Sequence, residues 1–404
     1  MPSALVLYHY FHPDDVVSAI HFSELAGGLS ERGWDVTALP SNRGCRDELV
    51  TYPSRTDWQG VKIRRVWRPR WRQASTWGRL GNLAWMLAAW SLAAFRYQPD
   101  VVIVGTDPIL SLLTALPWKL VRPRTKVVHW CFDLYPDAAI AGGVLRSKSL
   151  FARAARWLMR LAYARCDLIV DIGECMRARI RHDTPNARFA TLTPWALAEP
   201  AQPTAPDPAE RRALFRTARL GLLYSGNLGR AHCYERTLSL ARRLRDENVE
   251  FTFSVRGNAE AALRSAVNGS AVNGANPNVH LHAFVAQDQL EARLGAADIH
   301  VVTLRDEWTG AVVPSKFFGA LAVGRPVLFE GAPESAVAQW IQQFNVGWLL
   351  TAESEEAVAA ELSELSRTPA ALEDLFQRCH QAYTAHFSKQ SVLDAWDREL
   401  RALL

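Results

Sequence analysis

The 404-residue chain carries six cysteines, but no C-x-x-C pair and no close His/Cys cluster. Cys45, Cys131, Cys166, Cys175, Cys233 and Cys379 are scattered. That excludes a zinc framework and a disulfide scaffold, and it predicts a reducing compartment. The opening MPSALVLYHYFHPDD has no basic segment and no small-residue cleavage site, so no signal peptide is expected. The apolar run Leu83–Phe95 is 13 residues long, short of the roughly 20 that a spanning helix needs. No G-x-G-x-x-G, G-x-x-x-x-G-K-[ST] or G-x-S-x-G occurs. These absences speak against a nicotinamide dehydrogenase, a P-loop hydrolase and an α/β-hydrolase.

Acidic residues are missing where basic ones gather. From Met1 to Pro200 there are 26 Lys/Arg and 17 Asp/Glu, a net of +9; the remainder nets −4. Between Val61 and Pro99 there is no acid at all, while Arg64, Arg65, Arg68, Arg70 and Arg72 alternate with Trp67, Trp71 and Trp77. Basic charge with interleaved tryptophan suits an anionic membrane surface, and these eight residues are the expected contact. No nucleic-acid motif accompanies the charge, so nucleic acid is not expected. Ala138 to Cys166 is also free of acid, with Leu150, Phe151, Ala154, Trp157, Leu158 and Leu161 marking one helical face and Arg153, Arg156 and Arg160 another. Leu83–Phe95 itself reads as a buried helix of the first domain.

What is present is a globular composition, 49% hydrophobic and 22% charged, with β-α-β rhythm in both halves. Ala4–Tyr8, Trp34–Leu39, Val101–Val104, Lys126–His129 and Leu168–Val170 are expected strands of a parallel sheet. Leu220–Tyr224, Glu250–Val255, Val279–His282, Ile299–Leu304 and Pro326–Phe329 are expected strands of a second. Five prolines between Pro194 and Pro208 place a linker there. The expected division is an amino-terminal domain over 1–195, a linker over 196–210, a second domain over 211–385, and a final helix over 386–404 that can pack back on the first domain. The duplication AVNGSAVNGAN reads as an exposed surface loop. Doubly wound sheets bind ligands at the carboxyl ends of their strands, and two of them facing a cleft would place a ligand between domains.

Two segments of the second half carry chemistry. Tyr224-Ser225-Gly226-Asn227-Leu228-Gly229-Arg230 follows that half's first strand; its glycines let backbone N–H groups approach a phosphate, and Arg230 adds charge. In Gly310-Ala311-Val312-Val313-Pro314-Ser315-Lys316-Phe317-Phe318-Gly319, a helix starts near Ser315, a cap candidate, with Lys316 in its first turn. A diphosphate would fit there, with the backbone of Gly310, Val312 and Val313 and the side chains of Ser315 and Lys316 as donors. Either segment alone is also compatible with an ordinary βα turn.

These motifs resemble family 4 glycosyltransferases, above all the bacterial O-antigen, colanic-acid and capsule branch. Its pattern of "VPSK, two aromatics, G-x-L-A-x-G-R-P" is met from Val313 to Pro326. Tyr10-Phe11-His12-Pro13, Arg32-Gly33-Trp34-Asp35-Val36, Asp133-Leu134-Tyr135-Pro136-Asp137 and Gly226-Asn227-Leu228-Gly229 fit the same family. The resemblance implies an α/β GT-B fold of two Rossmann-like domains facing a cleft, and transfer with retention from a nucleotide-sugar, UDP-sugar favoured. It implies no metal and no cofactor, with Arg230 and Lys316 neutralising the donor diphosphate. The glutamate pair of the wider family is replaced by Ala311 and Gly319, so Glu330 and Glu334 become candidates for the donor's ribose and sugar. His129 and Asp133, at the end of a first-half strand, are candidates to handle the acceptor's proton. The expected partner is a glycan or polyprenyl-diphosphate-linked acceptor at the inner face of the bacterial cytoplasmic membrane. A soluble acceptor, a nucleotide-sugar epimerase and a non-catalytic scaffold subunit are the alternatives.

Overall fold

A computed structural model describes residues 1–72, 75–269 and 276–404. The chain forms two α/β units, Met1–Thr193 with Val392–Leu404, and Pro194–Ser391.

The first unit is built on eight strands: β1 (Ser3–Leu7), β2 (Asp35–Ala38), β3 (Arg55–Trp58), β4 (Val61–Arg64), β5 (Val101–Val104), β6 (Lys126–Trp130), β7 (Leu168–Asp171) and β8 (Phe189–Thr191), in the order β3-β4-β2-β1-β5-β6-β7-β8. All pairs are parallel except the β3–β4 hairpin. β5 reads VVIV and is wholly buried, as expected of a strand covered on both faces. β3, β4 and β8 are the three strands of this sheet that composition did not announce; β3 and β8 are its two edges, where a continuous apolar run is not required.

Helix Val17–Glu31 crosses from β1 to β2. Helices Thr76–Arg96, Ala115–Val121 and Leu150–Tyr163 make the crossovers running the other way along the sheet, from β4 through β7. Right-handed crossovers therefore put these three on one face and Val17–Glu31 on the other. Gly33, at φ +85, ends the first helix: its N–H bonds to Ser30 and the N–H of Trp34 to Leu29, the left-handed stop that glycine permits. The last helix, Lys389–Arg401, lies on this same side. A Cβ on Gly28 would come within 2.5 Å of Leu393, so that glycine lets the two helices touch, while Gly27 beside it makes room for Gln59 of the β3–β4 hairpin. The Trp34 indole donates to Asp397 at 2.7 Å, and Trp396 packs edge-on against Trp130.

The second unit is an all-parallel sheet of β9 (Leu220–Asn227), β10 (Val249–Arg256), β11 (Val279–His282), β12 (Ile299–Thr303), β13 (Val327–Glu330) and β14 (Gly347–Leu350), ordered β11-β10-β9-β12-β13-β14. The proline-rich segment is not a free linker. Thr204 bonds through its N–H to Val323, and buried Arg325 reaches the carbonyls of Thr204, Gly295 and Ala297. The boundary falls at Thr193/Pro194 and not over 196–210, because that arginine ties the segment to the second unit. The first copy of the AVNG duplication ends the helix Glu260–Gly269 and is not a loop; residues 270–275 of the duplication lie outside the described residues.

Candidate active site

Each site residue of the second unit sits at the carboxyl end of its sheet. β9 runs on through Tyr224 to Asn227, so Gly226 lies inside the strand's last turn of pleat, at φ +135. A Cβ there would stand 2.7 Å from Lys316 Cε, so Gly226 is glycine for two reasons, backbone conformation and room for the lysine. A second glycine nearby is similar. Gly257, at φ +127 just after β10, would put a Cβ 2.5 Å from the Asn227 side-chain oxygen.

Lys316 opens the helix Lys316–Ala322. Phe317 and Phe318 after it are fully buried against Trp340 and Phe387, and that cluster fixes where the ammonium points. Its Nζ donates to the Asn227 carbonyl at 3.0 Å, lies 3.4 Å from His232 Nε2 and sits 5.0 Å above the Tyr224 ring. Lys316 is half-buried, and desolvation pulls its pKa down to about 8. His232 holds Nδ1 2.8 Å from the Thr303 carbonyl, which makes Nδ1 the protonated nitrogen and Nε2 an acceptor for the ammonium. Burial, with the Lys316 charge second, lowers the His232 pKa to about 4, so the ring is neutral. The Lys316 ammonium thus has two protein acceptors and three protons.

The other donor-side expectations divide. Gly229 and exposed Arg230 form the turn directly after β9, and Gly310, at φ +74, forms a turn of the β12 loop beside Val313. Ser315 is exposed and does not cap the helix with its side chain; its backbone is already helical, which turns the hydroxyl away from the helix amides. The Val312 N–H is taken by the Trp308 carbonyl within the turn. Glu330 is not available to a ribose. It is buried at the end of β13, and its two oxygens accept from the N–H groups of Arg236 and Thr237 and from the Thr237 hydroxyl. It caps the helix Glu235–Arg243 from outside that helix, where a carboxylate complements the dipole. Glu334 is exposed in the turn before helix Ala336–Phe344. Cys233, Glu235 and Glu330 approach one another closely enough to suggest a metal. Glu330 is committed to the helix cap and Glu235 to the Tyr234 N–H and Arg305, so these side chains do not fit one.

In the first unit, Asp133 follows β6 and Asp107 follows β5. Burial, and Asp107 second, push the Asp133 carboxyl up to about 6. Buried His9 stands 3.7 Å from Asp107 through Nδ1, and its Nε2 has no partner among the described residues. Tyr8 and Tyr135 are held neutral by burial with both carboxylates beside them, and Tyr10 by burial with Asp107. Asp107 and His9 were missed from sequence; the Asp-Pro step ending a four-residue buried strand was the signal. His129 lines a small hollow with Asp133 and Tyr135, but its ring is committed to the sheet. It is 1% exposed, its Nδ1 donates to the Val104 carbonyl at 2.8 Å, and burial lowers its pKa to about 4. It is a neutral core histidine of the sheet.

The basic cluster is split by the fold. Trp67, Arg70, Trp71, Arg72 and Trp77 are exposed. Arg64 is half-buried on the β3–β4 hairpin, bonded to the Thr56 and Ile63 carbonyls. Arg65 and Arg68 turn inward and cannot touch a membrane. Arg65 donates to the His12 carbonyl and lies over the Tyr52 ring, and Arg68 is fully buried with no partner for its guanidinium among the described residues. Arg65 and Arg68 are buried while Trp67 and Arg70 beside them are exposed, a division that charge counting does not register.

Residues 18–195 match the glycosyl transferase 4-like domain, and residues 219–368 match the glycosyl transferases group 1 family. The chain is 26% identical to a probable glycosyltransferase, WbjE, of Pseudomonas aeruginosa over 271 residues, 66% of either chain. It is 28% identical over 149 residues to the putative colanic acid biosynthesis glycosyl transferase WcaI of Escherichia coli K12, which is 37% of this chain and 36% of that one. The matched segments thus span less than the full length of either relative. In fold it is similar over 100% of its length to sucrose-phosphate synthase of Thermosynechococcus elongatus, covering 99% of that chain at 15% identity with a TM-score of 0.72. It is similar likewise to Anabaena HepE in complex with UDP, covering 100% of both chains at 10% identity with a TM-score of 0.68.

Proposed function

The chain belongs to the family 4 glycosyltransferases, two Rossmann-like domains of the GT-B fold, and from that membership we propose that it transfers a sugar, with retention, from a nucleoside-diphosphate-sugar to a lipid-linked acceptor of bacterial surface polysaccharide synthesis. The observation that carries the reading is the Lys316 ammonium, fixed beside Gly226 with a proton to spare. The second unit binds the donor. Lys316 and Arg230 take up the charge that grows on the diphosphate as its bond to the sugar breaks. The Gly226–Arg230 turn and Ser315 supply further donors. UDP is the favoured carrier, and the two cations make a metal unnecessary.

The first unit binds the acceptor. The new bond forms from the acceptor oxygen to the sugar carbon as the carbon–phosphate-oxygen bond breaks on the same face. The acceptor's proton goes to the departing phosphate. Asp133 accepts a hydrogen bond from a second hydroxyl of the acceptor and so orients the reacting one, whose own proton is left for the phosphate; this role calls for the ionised form of Asp133.

Melting of the purified chain against UDP, GDP, ADP and dTDP tests this, because a ligand that binds only the native state raises the melting point. One nucleotide should stabilise the wild type, and Lys316→Ala and Arg230→Ala should lose the effect. No stabilisation at millimolar concentration would sink the donor site and favour a non-catalytic scaffold.

A further inference from the structure

The helix Thr76–Arg96 has two apolar faces. Asn82, Met86, Trp90, Ala93 and Ala94 are buried against the sheet. On the opposite side, Trp77, Ala84, Ala88, Leu92 and Phe95 follow one another at helical spacing and are all exposed, Trp77 at 85% and Phe95 at 67%. A surface helix of a soluble unit presents polar residues there. The exposed stripe runs the helix's full length, about 30 Å. It does not stand alone. Helices Ala115–Val121 and Leu150–Tyr163 lie on the same face of the sheet, and they expose Leu120 at 84%, Phe151 at 66% and Trp157 at 60%. Apolar surface spread over adjacent helices exceeds what a monomer carries as scattered side chains, and it marks an interaction site.

The charge carried by these helices has one sign. Residues 61–166 contain 18 Lys/Arg and four acids, Asp100, Asp107, Asp133 and Asp137. All four acids lie at strand ends or at the start of the short helix Asp137–Ala141. The three helices contain none, while Arg79, Arg96 and Arg153 are exposed on them and Arg160, also exposed, lies 3.8 Å from Asp183. A second copy seated by two-fold symmetry would bring this basic layer against itself. Nucleic acid would leave the apolar stripe uncovered. A surface that is both apolar and anionic satisfies both features.

We propose that this face of the first unit docks flat on an anionic phospholipid bilayer, with the Thr76–Arg96 stripe, Leu120, Phe151 and Trp157 in the headgroup boundary and the arginines on lipid phosphates. Among the described residues no helix is long and apolar enough to cross a membrane, so the contact is peripheral. It centres on the outer face of the helix read from sequence as buried, and it is independent of the transfer reaction proposed above.

The test is co-sedimentation of the full chain with vesicles of phosphatidylcholine alone and of phosphatidylcholine mixed with phosphatidylglycerol, at low and high salt, with oligomeric state measured in parallel. The wild type should bind the phosphatidylglycerol vesicles and release as salt rises. The double variant Leu92→Gln/Phe95→Gln, both positions exposed, should keep its melting point and lose about tenfold or more of its partitioning. Leu49→Gln, an exposed apolar residue outside these helices, should bind as wild type. Equal binding to both vesicle types, or undiminished binding of the double variant, overturns the proposal. So does a dimer that the double variant dissociates in the absence of vesicle binding.

Discussion

Lys316 Nζ and His232 Nε2 face each other at 3.4 Å, and the Thr303 carbonyl on the far side of the imidazole decides which of them carries the proton. The lysine stays charged because the histidine is neutral, and burial keeps the lysine's pKa near 8. The folded value lies below that of a free lysine, so between about 8 and 10.4 the unfolded chain binds more protons and stability rises with pH. Diphosphate binding wants the protonated form. UDP affinity should therefore fall as pH rises through about 8, with proton uptake on binding in calorimetry. Lys316→Met should bind about 10- to 100-fold more weakly, the loss of a hydrogen bond to a charged group, and should show no such limb. A pH-independent wild type would refute this.

Gly226→Ala should cost donor binding more than folding. The new methyl meets Lys316 Cε at 2.7 Å on a backbone that only glycine adopts without strain. Displacing the lysine should raise the donor KM at least tenfold while the far-UV spectrum stays native. An unchanged KM would show that Lys316 does not touch the donor.

Glu330→Gln separates the two readings of that residue. As a helix cap, it should lower stability by about 1–3 kcal/mol, because an amide turns one donor against the N–H groups it must accept from. It should leave donor KM unchanged. A normal melting point with a raised KM would return Glu330 to the donor site.

Asp133→Asn tests the first unit. The carboxyl titrates near 6, so turnover should show an acid limb there, lost in the variant, with kcat reduced and UDP affinity intact. Folded Asp133 binds its proton more tightly than the unfolded chain does. Ionised Asp133 therefore weakens the fold as pH climbs from about 4 to 6, and the variant should melt higher at neutral pH.

Arg68→Met should be neutral or stabilising. Its guanidinium is buried without a partner among the described residues, and a buried charge in that state is replaced by a flexible apolar side chain at no loss. A drop of several degrees in melting temperature would show that Arg68 holds an interaction of its own.

Much of this was written locally in the chain. Apolar runs such as Val101–Val104 and Ile299–Thr303 announce buried parallel strands, because period and hydrophobicity are properties of a few consecutive residues. The Val313–Pro326 motif put Lys316 in the first turn of a helix, where the structure has it, since its two phenylalanines and its glycine are packing and turn requirements of one short segment. What the sequence by itself could not determine is where a side chain is spent. Glu330 and Thr237 are 93 positions apart, and only the closing of β13 beside helix Glu235–Arg243 turns a candidate ribose ligand into a cap. His129 meets the Val104 carbonyl only once β5 and β6 pair. Arg68 and Arg70 are indistinguishable as letters, yet one is interior and the other exposed. The run from Leu83 to Phe95 reads as core until the sheet is seen to cover just one side of its helix. Tertiary structure decided these because burial and hydrogen bonding are set by neighbours distant in sequence.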